Sequence, residues 1–335
     1  MRPKIVFVLA ATTLHGGNRV VFELAAGLAA RDYPVEVVSP EPVPGWHATT
    51  VPFTQVPIFE PGAVPKADVV IGTFFNTLGP AFDSGARHVF HLCQGYEGVH
   101  REYAPILPSI DAAYQLPVPK LLISRHLVSL ITERYGSRCH WIGQFVDRTI
   151  FQPGPPRQAD GTLTVGVVGS FGIRSKGVPE ALKGLALARQ DGHRLRVLRA
   201  SAEAMSEEER ALGVTDLFAH HLPTREMPAF YHQLDALLYS SYDEEGFPLP
   251  PLEAMACGVA VAMTRIRPFE VLPDEAALRF PPGEPAAVVP VVAALADPEL
   301  RARLVAAGTA CMEDYRLDRV LDRIEAAFAA EGVLS

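Results

Sequence analysis

The chain has 335 residues, of which 48% are hydrophobic and 20% are charged, and its formal net charge is −8. These values are typical of a globular protein, and the length suits two domains that each bury a core. Acidic and basic residues cancel up to residue 148, so the excess of acids lies in the second half. Nucleic acid is therefore excluded as the expected partner, because binding its phosphates requires clustered cations.

The first half of the chain alternates short apolar runs with stretches of helical spacing. Residues 4–10 (KIVFVLA) are typical of a buried strand, and a Gly-Gly turn, a helix and a strand at residues 35–39 follow it. A strand–helix–strand unit of this kind implies a parallel sheet, with the turn at the carboxyl end of the first strand. More strands are predicted at residues 68–74, 87–93 and 120–124, and a helix at residues 126–136.

This pattern breaks at residues 152–161 (QPGPPRQADG), where proline, glycine and polar residues predict a linker. The pattern then resumes. Strands are predicted at LTVGVVGS, RLRVLRA, DLFAHHL, DALLYSS and VAVAMT, and helices at VPEALKGLALARQDG, REMPAFYHQL and residues 316–330. We predict an α/β protein of two Rossmann-like, doubly wound domains that face each other across a cleft. The predicted domains are residues 1–153 and 154–315, and a helix near residues 316–335 is expected to pack back on the first domain.

The cysteine positions and the hydropathy of the sequence indicate the cellular compartment of the protein. The four cysteines lie far apart and form no Cys-x-x-Cys pair, which predicts neither a disulfide framework nor a zinc site and suits a reducing cytoplasm. No segment has the length needed to cross a bilayer. The most basic stretch, residues 120–140, is interpreted as a solvated helix face rather than a contact with an anionic surface. We expect a cytoplasmic protein with at most peripheral membrane contact.

The stretch EEGFPLPPLEAMACGVAV, residues 244–261, contains the start of a predicted helix. Pro250 and Pro251 suit its first turn, because proline lacks the N–H group that has no intrahelical partner there. Gly258 suits its end. Glu253 then lies in the first turn, where helix capping alone is one explanation of its presence.

The loop before this helix adds a second carboxylate, Glu245, and several backbone donors. The N–H groups of Gly246, Phe247 and Leu249, together with the helix dipole, favour an anion. Carboxylates are natural acceptors for sugar hydroxyls. The pattern therefore indicates a site for a phosphorylated sugar compound.

The spacing Glu-x7-Glu in this setting resembles the signature of glycosyltransferase family 4, whose members are retaining enzymes of the GT-B fold. The likeness covers most of the chain, in the stretches HGGNRVVFELAAGLAARDYPVEVVS, LISRHLVSLITERYG, IGQFVDRTIFQP and HHLPTREMPAFYHQLDALLYSS. The resemblance implies that Glu245 lies beside the donor sugar and that Glu253 binds the ribose of the nucleotide.

The stretch VGSFGIRSKG resembles the phosphate loop of the same family. Gly169, Lys176 and Gly177 match its pattern, which implies that Lys176 contacts the diphosphate. The family's usual arginine after the glycine is Ser170 here. Arg174 lies in the same loop, and we predict that it replaces the missing charge.

Two further positions depart from the family pattern. The glycine that usually follows the phenylalanine is Pro248, which removes one N–H donor to the ligand. The loop after the strand at residues 87–93 often carries a histidine near the reacting sugar, and this chain has Gln94 there. His91 lies inside the strand and is expected to be a structural residue with its hydrogen bonds satisfied. Gly16 and Gly17 allow the backbone to approach the donor closely.

Together these residues predict a metal-independent, retaining glycosyltransferase of the hexosyl or deoxyhexosyl class. Glu245, Lys176 and Gln94 are the predicted catalytic residues. The donor would be a nucleoside-diphosphate sugar, and the acceptor a hydroxyl group of a sugar, a glycolipid or a small molecule. No cofactor is expected, because Asp-x-Asp and G-x-G-x-x-G motifs are both missing from the sequence. Cations and helix dipoles can stabilise a leaving diphosphate instead of a metal.

Three alternatives stay open at this point. A non-catalytic nucleotide-sugar-binding module is favoured by the changes at Pro248, Ser170 and Gln94. A GT-B epimerase or phosphorylase would use the same fold. Glu97 and Glu245 are both candidates for a covalent nucleophile, should the enzyme use one.

Overall fold

The computed structural model describes residues 2–60, 62–155 and 160–334. The described chain divides into two compact units. The first comprises the residues up to 144 together with those from 317 onward, and the second comprises residues 145–316. Residues 156–159 of the predicted linker lie outside the described residues.

The first unit is built on a seven-stranded parallel sheet. Its strands are β1 (Ile5–Val8), β2 (Val35–Ser39), β3 (Phe53–Gln55), β4 (Val69–Gly72), β5 (His88–Cys93), β6 (Lys120–Leu122) and β7 (Cys139–Trp141). The helices between them are α1 (Gly16–Ala29), α2 (Phe75–Phe82), α3 (Leu107–Tyr114) and α4 (Arg125–Tyr135). The strand order is β3-β2-β1-β4-β5-β6-β7, so the chain changes direction across the sheet between β1 and β4. Ligands bind at such a switch point in open α/β sheets.

The second unit has a six-stranded parallel sheet in the order β10-β9-β8-β11-β12-β13. Its strands are β8 (Leu163–Val168), β9 (Leu195–Ser201), β10 (Leu217–His220), β11 (Ala236–Tyr239), β12 (Ala260–Thr264) and β13 (Leu278–Phe280). Its helices are α5 (Val178–Gln190), α6 (Glu207–Ala211), α7 (Met227–Tyr231), α8 (Pro250–Ala256), α9 (Val288–Leu295) and α10 (Pro298–Cys311). The switch point lies between β8 and β11, and the loops after these two strands carry Lys176 and Glu245.

The last helix, α11 (Leu317–Ala330), packs against the first unit. Gly27 of α1 faces it closely, because a Cβ atom at that position would lie 2.8 Å from Cδ1 of Leu321. The carboxylate of Glu325 accepts a hydrogen bond from the guanidinium of Arg31 at 2.7 Å. Glycine therefore sets the approach of the two helices, and an ion pair fixes their register.

The apolar residues of the strands explain why both sheets are buried. Strands such as β1 and β11 are continuous apolar runs and are buried along their whole length, as expected when helices cover both faces of a parallel sheet. The prediction missed the short strands β3, β7 and β13, which have only three residues each. In the described part of the chain, no helix is both long and apolar enough to cross a membrane.

Candidate functional site

The loop after β8 is pinned against the segment that follows β11. Gly177 has a φ of +59°, and a Cβ atom there would lie 2.1 Å from the carbonyl oxygen of Ser240. The Ser240 hydroxyl donates to the carbonyl of Gly177 at 2.6 Å, and the N–H of Tyr242 donates to the carbonyl of Ser175 at 3.0 Å. Only glycine fits at position 177, because a side chain would push the two segments apart.

This contact brings together two of the predicted catalytic residues, Lys176 and Glu245. The Lys176 Nζ atom lies 2.7 Å from Oε2 of Glu245, and the Ser175 hydroxyl donates to Oε1 at 2.7 Å. The two charged side chains are 22% and 12% exposed, so the pair is shielded but reachable. A cation and a carboxylate are thus held side by side at the carboxyl edge of the sheet. Sequence reasoning did not single out Ser175, although it lies inside the predicted phosphate loop.

Arg174 and Ser170 belong to the same loop. The contacts of Arg174 are with residues other than Lys176 and Glu245. The Arg174 guanidinium is 2.7 Å from Glu244 and 5.1 Å from the ring centroid of Tyr242, and its side chain is 58% exposed. Ser170 is buried. The replacement of a charge at Ser170 by Arg174 stays a prediction.

The helix α8 begins at Pro250, with two prolines in its first turn as the sequence predicts, and it ends before Gly258, whose φ is +75°. Glu253 lies in the first turn, and only 3% of the residue is exposed. Its Oε2 accepts a hydrogen bond from the hydroxyl of Tyr231 at 2.7 Å. Tyr231 is fully buried at the end of α7, and its spacing from Glu253 gives no signal in the sequence.

The loop between Glu245 and α8 is buried. Gly246, Phe247 and Leu249 were predicted to offer their N–H groups to a donor. The ring of Phe247 packs at 5.6 Å from that of Phe269 and at 5.8 Å from that of Tyr315. The Phe247 side chain is therefore part of the core, and the contact of the loop's N–H groups with a donor stays a prediction.

Tyr239, at the end of β11, lies close enough to both glutamates to be affected by their charge. Burial raises the pKa of its hydroxyl well above the ordinary value, and Glu245 and Glu253 act in the same direction. Its hydroxyl is buried and has no hydrogen-bond partner among the described residues. Such a group is costly to bury unpaired, and no sequence pattern pointed to it.

In the first unit, Gly16, Gly17 and Gln94 come together. Gly16 begins α1, and the N–H of Gly17 donates to Nδ1 of His15 at 3.2 Å. The side-chain amide of Gln94 donates to the carbonyl of Gly17 at 3.0 Å. The loops that follow β1 and β5 therefore meet at this edge of the sheet, and Gln94 fixes their contact.

The expectation for His91 is wrong in one respect. The residue is structural, because it is fully buried in β5, and burial together with the charge of Lys120 lowers its pKa well below the ordinary value. However, its Nδ1 atom has no hydrogen-bond partner in the described part of the chain. The expectation that the hydrogen bonds of this residue are satisfied is thus wrong for Nδ1.

Glu97 is a buried carboxyl in the loop that carries Gln94. Burial raises its pKa above the ordinary value, and the Tyr114 hydroxyl lies 2.7 Å from its Oε2 atom. The same hydroxyl lies 3.0 Å from the carbonyl oxygen of Gly95. The Tyr114 hydroxyl is thus the donor within reach of both acceptors, and it links Glu97 to the backbone of the loop at Gly95. Glu97 is therefore tied to its own loop through Tyr114, and its role as a covalent nucleophile stays a hypothesis.

Among residues 2–60, 62–155 and 160–334, no group of three or more His, Cys, Asp and Glu side chains could hold a metal ion. Metal independence stays a prediction.

Comparison with known proteins identifies the fold. Residues 162–298 match the sequence model of the family described as glycosyl transferases group 1. The chain is similar to the structure of sucrose-phosphate synthase from Thermosynechococcus elongatus, with a TM-score of 0.80, 16% identity and 100% of both chains covered. It is also similar to Anabaena HepE in complex with UDP-glucose, with a TM-score of 0.80, 14% identity, and 98% of this chain and 100% of that chain covered.

A third similar structure is that of WaaG, a glycosyltransferase involved in lipopolysaccharide biosynthesis, with a TM-score of 0.73, 15% identity, and 98% of this chain and 100% of that chain covered. No curated protein sequence matches the chain. The two parallel sheets and these similarities confirm the predicted GT-B fold. The family match, which spans the second unit, supports a glycosyltransferase.

Proposed function

We propose that the protein is a retaining, metal-independent glycosyltransferase that moves a hexosyl or deoxyhexosyl group from a nucleoside-diphosphate sugar to a hydroxyl acceptor. The observation that carries the proposal is the ion pair of Lys176 and Glu245 at the switch point of the second sheet. The ammonium group suits a diphosphate, and the carboxylate suits the hydroxyls of a sugar. The match to glycosyl transferases group 1 and the similarity to a protein solved with UDP-glucose support the same assignment.

Glu253 is the proposed contact for the ribose of the nucleotide. One of its oxygens is held by the Tyr231 hydroxyl, which fixes the plane of the carboxylate. A buried carboxylate in a fixed orientation can accept hydrogen bonds from both ribose hydroxyls. Lys176 then faces the diphosphate, and Arg174 is the proposed second cation.

The proposed reaction breaks the bond between the anomeric carbon and the β-phosphate oxygen, which leaves the electron pair on the diphosphate. Lys176 stabilises this growing negative charge. The acceptor oxygen bonds to the anomeric carbon on the same face, and its proton moves to the departing phosphate oxygen. Glu245 accepts hydrogen bonds from the sugar during this exchange. The acceptor is a sugar, a glycolipid or a small molecule with a hydroxyl group.

Calorimetric titration of the protein with UDP, GDP, dTDP and ADP tests the donor site. At least one of them should bind, and Lys176→Ala should weaken that binding about tenfold, which corresponds to about 1.4 kcal/mol. Lys183→Ala is the matched control, because Lys183 is an exposed lysine on α5. The absence of binding by all four nucleotides would contradict the proposal. Tight binding of a nucleotide sugar without transfer or hydrolysis would favour the non-catalytic binding module instead.

A further inference from the structure

A buried ion pair lies directly behind the loop that carries Lys176. Arg199 on β9 is completely buried, and its Nε atom lies 2.7 Å from Oε1 of Glu209 on α6, which is also buried. Placing two charges in a protein interior is costly and rarely increases stability over apolar side chains. The presence of this pair therefore points to a role beyond stability.

The rest of the Arg199 guanidinium is bound to backbone carbonyls at the end of β8 and to one carbonyl of β9. Nη1 donates to the carbonyls of Val167 at 2.8 Å and Ala200 at 3.3 Å. Nη2 donates to the carbonyl of Gly169 at 2.9 Å. Since Glu209 balances the charge, the guanidinium acts here mainly as a rigid set of hydrogen-bond donors.

Gly169 is the residue on which the phosphate loop turns. Its φ is +133°, a conformation that favours glycine, and its N–H donates to the carbonyl of Ala200 at 3.0 Å. A Cβ atom at Gly169 would lie 3.4 Å from Cβ and 3.5 Å from Cγ of Lys176. The stem of Lys176 thus rests on the glycine that Arg199 holds.

The fixed carbonyl also sets the direction of a backbone donor. In a planar trans peptide the C=O and N–H groups point in opposite directions. Because the Gly169 carbonyl points to Arg199, the N–H of Ser170 points away from Arg199.

We propose that Arg199 is a positioning residue of the donor site: it orients the Gly169–Ser170 peptide so that the Ser170 N–H meets the diphosphate, and it supports the stem of Lys176. This role rests on the proposed function. The buried pair acts on the site through the backbone of the phosphate loop, at the carbonyl of Gly169.

The experiment compares the affinities of nucleoside diphosphates and of the corresponding nucleosides, by calorimetry and by NMR titration. The main variant is Arg199→Met combined with Glu209→Leu, because removing both charges together avoids leaving a lone buried charge. We expect the affinity for the nucleoside diphosphate to fall about tenfold or more, with the affinity for the nucleoside unchanged. Gly169→Ala, which strains the same peptide through its φ, should give the same split.

The matched control is Arg301→Met, because Arg301 also donates to two backbone carbonyls, those of Leu295 and Ala296, but outside the loop. It should change neither affinity. If the double variant keeps the wild-type diphosphate affinity, or loses nucleoside affinity equally, the role of Arg199 is wrong while the proposed function stands. If the wild-type protein binds none of the four nucleoside diphosphates, the proposed function fails and this role fails with it.

Discussion

Replacing Tyr231 by phenylalanine tests how the buried carboxylate of Glu253 is held. The change removes only the hydroxyl that donates to Glu253 Oε2 at 2.7 Å, and it keeps the ring packed against Phe151 and Phe230 at 6.2 and 5.8 Å between centroids. A hydrogen bond to a charged group contributes about 1.5–3 kcal/mol to stability. Both partners are buried, so their hydrogen bond is shielded from bulk water. The free energy of unfolding should therefore fall by about 1.5–3 kcal/mol.

The same variant should bind a nucleoside diphosphate less tightly, because the carboxylate of Glu253 loses a hydrogen bond that orients it for the ribose. We expect a loss of up to about tenfold in affinity, or about 1.4 kcal/mol. Urea unfolding without nucleotide gives the stability, and calorimetric titration with UDP, GDP, dTDP and ADP gives the affinity.

Tyr239→Phe is the matched control, since Tyr239 is an equally buried tyrosine whose hydroxyl has no hydrogen-bond partner among the described residues. Deleting an unpaired buried hydroxyl should leave the free energy of unfolding unchanged or raise it. If the two phenylalanine variants lose the same stability, or if Tyr231→Phe loses none, Tyr231 does not hold Glu253 as we infer.

Three more predictions concern the charged groups. Lys176→Ala should lower turnover at least about tenfold, or about 1.4 kcal/mol of barrier, and steady-state rates with and without EDTA should be equal for the wild type. Glu245→Ala should lower turnover strongly while the dissociation constant of the free nucleoside diphosphate stays nearly the same, since Glu245 is assigned to the sugar. If turnover and nucleotide affinity both fall, the roles given to Glu245 and Glu253 are wrong. Burial raises the pKa of Glu97, so the folded protein keeps a proton that the unfolded chain releases. As the pH rises from the ordinary glutamate range through the raised pKa, the free energy of unfolding of the wild type should fall relative to that of Glu97→Gln, by at most about 1.4 kcal/mol per pH unit. Urea unfolding of both proteins at several pH values measures this difference. A difference that stays constant with pH would contradict the prediction.

Local sequence patterns predicted the elements that depend on local chemistry. The prolines at the start of α8 and the apolar runs of β8 and β11 are examples. A helix start, and a strand buried on both faces of its sheet, each require particular residue types at neighbouring positions. Three-residue edge strands carry too few residues for a pattern, so β3 and β7 were missed. The helix predicted at REMPAFYHQL is shorter, Met227–Tyr231, because its first residues form a 3-10 turn.

The candidate site was predictable only in part. The resemblance to a family placed Lys176 and Glu245 at one site, and the structure joins them in an ion pair across 69 positions of the chain. The partners that hold the site, such as Tyr231 and Arg199, lie on elements whose own residues show no periodic signal for them. Their roles arise from the order of strands in the sheet, which a single sequence does not encode locally.

The most direct measurement of the central claim is the stereochemistry of transfer. UDP-, GDP-, dTDP- and ADP-sugars with α-linked donors would be incubated with the protein and a mixture of monosaccharides, alkyl glycosides and glycerol, with Glu245→Ala as the control. NMR of the anomeric protons then reports both the bond formed and its configuration. The account predicts acceptor-dependent release of one nucleoside diphosphate and an α-linked product from the wild type, with far less from Glu245→Ala. A β-linked product, or no product and no nucleotide release from any donor, would contradict it.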